Sequence, residues 1–165
     1  MSSNITLKRL HQILQVVMGW QDYHLHQFRV GDLCYGVPEL DEYDELEDEF
    51  YARLYQVAPE QGSRFVYEYD FGDNWQHELV LERILPWRET DRKPVCLGGE
   101  RATPPEDCGG VFGYQGMLES IRDPEDPERD EWLTWLGGSF DPERFDLDDV
   151  NRWLKRLRYG SDKTL

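Results

Sequence analysis

The side chains of this 165-residue chain best suited to chemistry fall in three places. His24 and His26 lie two apart, His77 follows a turn that holds Asp70 and Asp73, and the stretch from Cys96 to Gly113 carries Glu106, Asp107 and Cys108. Imidazole, carboxylate and thiolate suit zinc or another divalent transition metal, so His24, His26, His77, Cys96 and Cys108 are candidate ligands. Asp70, Asp73, His77, Glu106 and Asp107 are the candidate acid, base or metal-binding set for a hydrolase-like reaction. The spacing is of low specificity, because neither CxxC nor HxxxH occurs. No cofactor is therefore assigned, and structural roles are the stronger reading for each of these groups. Aspartates in a turn accept backbone N–H bonds, and Gly72 supplies an unusual backbone angle. Glu106 and Asp107 can tie down glycine-rich backbone, with Cys108 buried as a small apolar group. The functional alternative uses Gly109 and Gly110 for close backbone approach to a ligand. Trp75, with Tyr67, Tyr69 and Phe71, could stack on bases, but these rings share a face with Leu79 and Leu81, which favours core packing. His11, in a helix among polar neighbours, receives no role.

The elements that must position these groups follow from periodicity. Arg64 to Glu82 alternates aromatic and polar residues on either side of Gly72-Asp73-Asn74, the pattern of a β-hairpin. A three-residue loop would set Phe71 against Trp75, Tyr69 against His77, Tyr67 against Leu79 and Glu68 against Glu78, the last pair relieved by solvent or an arginine. The second strand is expected to run to Leu85. Thr6 caps a helix with Leu7, Leu10, Leu14, Val17 and Met18 on one face, stopped by Gly19. His24 to Val30 and Leu33 to Val37 read as a second hairpin. Glu39 to Glu49 holds eight carboxylates in eleven residues and reads as a mobile, solvated loop. Phe50 to Val57 is a short strand or helical turn. Cys96 to Gly113, rich in glycine and proline, reads as a long irregular loop, pinned down or functional. Helices follow at Tyr114 to Arg122, after Asp126-Pro127 with Trp132, Leu133 and Leu136 buried, and after Asp146 with Leu147, Val150, Leu154 and Leu157 on one face. The order predicts one α+β domain over residues 1–165: an antiparallel sheet built around the aromatic hairpin, with helices packed on one face.

Composition narrows the function classes. The chain is 13% aromatic and 32% charged, with a formal net charge of -16. A surface so acidic repels phosphate backbones, making nucleic acid an unlikely partner on its own and favouring basic protein surfaces or metal cations. The three cysteines lack CxxC spacing and follow no leading apolar segment, which points to free thiols in the cytoplasm. No apolar run approaches the roughly 18 residues of a membrane span.

The segments YEYDFGDNWQHELVLE and CLGGERATPPEDCGG, the latter followed by GY, together resemble the plasmid pRiA4b ORF-3-like family. LHQILQVVMGW, HLHQF and FDPERFDLDDVN extend the resemblance over nearly the whole chain. It implies bacterial and archaeal relatives, often on plasmids or near transposable elements, without an established activity. Some relatives carry transposon-passenger or resolvase labels, but this acidic chain shows no serine-recombinase signature. The family pattern has an extra strand before the first helix, whereas this sequence opens at the helix. Either the start is truncated or the strand is dispensable; if the strand is missing, an open sheet edge would favour a homodimer. The combined reading is a non-catalytic accessory or protein-interaction domain linked to mobile genetic elements, with a basic protein partner. Its rivals are a metal-dependent hydrolase or nuclease-like enzyme and, behind that, DNA binding through the last helix, whose basic residues Arg152 to Arg158 read first as a solvated face.

Overall fold

The structure is a computed structural model that describes residues 1–38, 46–86, 88 and 93–157. Helix α1 (Leu7–Met18) opens with the Thr6 hydroxyl accepting from the Arg9 amide and closes at Gly19 in the left-handed region. Strands β1 (His26–Val30), β2 (Leu33–Gly36), β3 (Leu46–Asp48), β4 (Arg64–Tyr69) and β5 (Trp75–Val80) form one sheet in the order β3-β2-β1-β4-β5. The short helix α2 (Leu54–Val57) lies between β3 and β4, and α3 (Gly110–Arg122), α4 (Arg129–Trp135) and α5 (Leu147–Arg156) follow the sheet. The fold is α+β, as the element order predicts. Its middle strand is β1, paired with β2 on one side and β4 on the other.

Period-2 alternation decides which face of the sheet is covered. Phe28, Tyr67 and Tyr69 are fully buried and Phe65 nearly so, while Arg64, Val66 and Glu68 between them point the other way. Leu7, Leu10, Ile13 and Leu14 of α1 and Leu154 of α5 join those rings in one core. The opposite face carries Gln27, Arg29 and Glu68, joined by a Gln27 to Glu68 hydrogen bond and an Arg29–Glu68 ion pair.

Several local expectations are corrected. The aromatic hairpin pairs Tyr69 with Trp75, Tyr67 with His77 and Phe65 with Leu79, so its loop has five residues, Asp70 to Asn74. The faces are those expected, but the register moves by two. Asp70 causes the shift: it takes a left-handed φ of 56°, and its Oδ1 accepts from the amides of Gly72 and Asp73. The strand therefore ends before Phe71, which is half exposed instead of paired. In this register Glu68 faces Gln76 and Val66 faces Glu78, so the expected Glu68–Glu78 pair does not form. An arginine does accompany each acid, Arg29 at Glu68 and Arg64 at Glu78. Strand β5 stops at Val80, short of Leu85.

The sheet is mixed: β3 runs parallel to β2. That strand comes from the acidic stretch read as a solvated loop, whose residues 39–45 lie outside those described. Leu46 to Asp48 pair with Cys34 to Gly36, and Glu49 is 1% exposed, because β2 takes an edge partner there and the buried His26 imidazole meets the Glu49 carboxylate. The long loop before α3 is also shorter than expected, since Gly110 to Gly113 are already helical. Helix α4 buries no residue fully; Trp132, Leu133 and Leu136 are half buried.

Gly110 has a φ of +66°, and a Cβ there would meet the Asp73 carbonyl oxygen at 2.5 Å. Gly110→Ala should lower stability by on the order of 2 kcal/mol, from backbone strain and separation of this loop from the hairpin turn, read as a lowered urea midpoint.

Candidate functional site

The region between α1 and the sheet contains polar groups that share a closed set of hydrogen bonds. Tyr67 projects its hydroxyl from β4 toward α1, where Gln15 Nε2 donates to it at 3.0 Å and His11 Nδ1 lies 2.8 Å away. Since the oxygen accepts from Gln15, its single proton goes to Nδ1, which makes His11 the Nε2–H tautomer. His11 Nε2 then donates to Asp22 Oδ1 at 2.8 Å. The Asp22 amide in turn donates to Gln15 Oε1 at 2.9 Å, closing a ring of four residues. Burial holds His11 neutral, its pKa lowered to about 3, with the adjacent His26 pushing the same way. Burial raises the pKa of Tyr67 and of Asp22.

His26 stacks on His11, with ring centroids 3.5 Å apart and planes 2° from parallel. Its Nε2 meets Glu49 Oε2 at 2.8 Å, and Lys8 Nζ stands 3.8 Å from the other Glu49 oxygen. The buried end of the acidic stretch is thus met by an imidazole at hydrogen-bond distance and, farther off, by the half-exposed Lys8 ammonium group. A cavity of about 310 Å³ opens beside these groups, lined among others by Lys8, His11, Asp22, His24, His26 and Phe71.

A second cluster joins three loops. His24 Nε2 lies 3.0 Å from Asp107 Oδ1 and 3.6 Å from Asp70 Oδ2. Asp107, like Asp70, has a left-handed backbone, with φ 60°.

The other sequence-derived candidates are dispersed. Asp73 Oδ2 accepts from the Gly109 amide at 3.1 Å. Glu106 Oε1 accepts from the Tyr69 hydroxyl at 2.5 Å and the Gln21 amide at 3.1 Å; burial, together with that bond, raises the pKa of Tyr69. Both acids tie the glycine-rich loop to the sheet, helped by Trp20 Nε1 donating to the Pro104 carbonyl. His77 is set among aromatic rings, 5.4 Å from Trp20, with Nδ1 3.3 Å from the Tyr67 carbonyl. Burial lowers its pKa. Trp75 is 8% exposed and packs toward Trp20, and so faces the core. Gly109 and Gly110 approach the hairpin turn itself. Cys96 exchanges backbone bonds with the Asn151 side chain. Cys108 is buried, which raises its thiol to about 11. Among the described residues neither cysteine joins a group of three ligand atoms.

Sequence reasoning missed His11, Asp22, Glu49 and the Tyr67 hydroxyl. The available signal was the helical phase of His11, which shares the buried face with Leu7, Leu10 and Leu14.

With the geometry in place, similarity to other proteins identifies the family. A family model described as plasmid pRiA4b ORF-3-like protein matches residues 1–149. The chain belongs to this family. An uncharacterized protein, y4hQ, of Sinorhizobium fredii (strain NBRC 101917 / NGR234) is 37% identical over 155 residues, covering 93% of this chain and 79% of the relative. The crystal structure of MM3350, a protein of unknown function from Methanosarcina mazei Go1, superposes with a TM-score of 0.78 at 43% identity, covering 91% of this chain and 85% of that one. The pRiA4b ORF-3-like fold thus spans a bacterium and an archaeon, with no activity attached to either relative by name. No helix among the described residues is long and apolar enough to cross a membrane.

His11 sets a pH dependence. Its folded pKa of about 3 lies below the unfolded 6.5, so its contribution is complete above pH 6.5 and is lost as pH falls toward 3. Between pH 7.5 and 5 the protein should lose about 2 kcal/mol on this account. Urea unfolding at both pH values should show a smaller loss for His11→Gln.

Proposed function

We propose that this domain is a non-catalytic accessory module, cytoplasmic and associated with plasmids or other mobile elements, that holds a partner protein by a basic segment. The observation that carries the reading is that Val37 and Leu46, on either side of the acidic segment, both line the cavity that also contains Asp22, His24 and His26. Residues 39–45, between those two positions in the sequence, hold five carboxylates in seven positions. A net charge of -16 steers basic partners toward the protein, and carboxylates in the acidic segment are the chemistry that a lysine- or arginine-rich segment would pair with.

Catalysis by Asp70, Asp73, His77, Glu106 and Asp107 requires one centre. Among the described residues Asp70 and Asp107 share a cluster with His24, whereas Asp73 and Glu106 bond to the loop and its neighbours and His77 packs on aromatic rings, which supports the non-catalytic reading. DNA binding through α5 is disfavoured by Asp146, Asp148 and Asp149 at its start, with Arg152 paired to Asp149 and Arg156 lying over Trp153.

The test is fluorescence anisotropy with labelled lysine- and arginine-rich peptides against acidic ones of equal length. Basic peptides should bind, with affinity falling as salt rises and falling at least about tenfold when Glu39, Asp41, Glu42, Asp44 and Glu45 are changed together to their amides. Equal binding of acidic and basic peptides, or indifference to the amide variant, overturns the reading.

A further inference from the structure

We propose that His24, Asp70 and Asp107 form a site for one divalent transition-metal ion of the zinc class. The inference goes beyond the partner-binding reading and stands on separate observations. The three residues come from the segment before β1, the turn after β4 and the loop before α3, and their ligand atoms all lie within 4.8 Å of one another. At metal–ligand bonds of about 2.0–2.2 Å, neighbouring ligand atoms at tetrahedral or octahedral angles stand about 3.0–3.6 Å apart. His24 Nε2 lies 3.0 Å from one carboxylate oxygen and 3.6 Å from the other.

The orientation of His24 is the second observation. Its Nε2 is buried and makes no hydrogen bond, although Asp107 Oδ1 is only 3.0 Å away. The nitrogen faces the two carboxylates at ion-pair distance without hydrogen-bond geometry to either, on a side chain that is 27% exposed, an arrangement open to a shared ion. Asp70 is oriented for the same role: Oδ1 is engaged by the Gly72 and Asp73 amides, leaving Oδ2 toward His24. Such support from behind the ligand atom fixes carboxylates in metal sites.

The other imidazole–carboxylate group, His11, Asp22 and His26, differs on both counts. Both His11 nitrogens and His26 Nε2 already have partners. The two rings are stacked in nearly parallel planes with centroids 3.5 Å apart, so their in-plane lone pairs do not converge on one point.

One imidazole and two carboxylates make a borderline nitrogen and oxygen set, suited to zinc or manganese. Three protein ligands leave positions open for water or an added ligand.

Isothermal titration of metal-free protein with zinc chloride should show one equivalent bound more tightly than the scattered acidic surface groups bind it. Asp107→Asn and His24→Ala should each weaken that event at least tenfold, while Asp22→Asn leaves it in place. Asp107 is 65% exposed, so its amide variant should keep the metal-free melting temperature and separate ligand loss from unfolding. Cobalt should give visible absorption bands that Asp107→Asn abolishes. Absence of a one-equivalent event, unchanged affinity in Asp107→Asn, or loss in Asp22→Asn instead overturns the proposal.

Discussion

The structure depends on one buried hydroxyl. Tyr67 sits on a strand next to the middle of the sheet with none of its surface exposed, and its oxygen must be paired. A hydrogen bond adds about 1 kcal/mol net, but leaving such a group unpaired underneath a helix costs about 1–3 kcal/mol. Gln15 and His11, one turn apart on α1, supply the partners. This fixes the rotation of α1 over the sheet as well as its contact. Apolar residues such as Leu10 and Leu14 tolerate small rotations; a ring of Gln15, Tyr67, His11 and Asp22 does not. Asp22 draws the chain after α1 back onto the helix, and so sets where His24 lies and where β1 begins at His26.

From that constraint the polar architecture follows in order. Neutral His11 provides a flat surface for His26, and His26 in turn gives Glu49 a partner that a buried carboxylate requires. Glu49 anchors the end of the acidic stretch, and β3 can then pair with β2 in parallel. On the far side of His24, Glu106 and Asp73 bind the glycine-rich loop against the same sheet. Residues of α1, of the segment leading into β1 and of the ends of β2 and β3 meet around one cavity.

Much of this was visible in the chain as written. Alternation through Phe65, Tyr67 and Tyr69, and through Trp75, His77 and Leu79, marks the covered face of the sheet, and Thr6, Gly19 and Asp146 mark helix ends. What pattern could not supply was the register, because Asp70 leaves the strand through its own side-chain bonds and any odd loop length preserves the same faces. Nor could it supply β3: three residues in a run of acids carry no strand signal, and their place comes from pairing with β2. The site is harder still. His24, Asp70 and Asp107 are far apart in sequence, and no local spacing announces that a turn and two loops bring them together. His11 was hidden by its neighbours Lys8, Arg9 and Gln12, although its phase along the helix placed it inward.

The account stands on His11 as an uncharged Nε2–H imidazole bonded to Tyr67. Two-dimensional NMR correlating ring nitrogens with ring protons, recorded from pH 8 to 5, measures this directly. The account predicts one histidine with nitrogen shifts of the neutral Nε2–H tautomer throughout that range, its signal displaced by Tyr67→Phe. A His11 that titrates with an ordinary midpoint near 6.5, or that carries its proton on Nδ1, would contradict it.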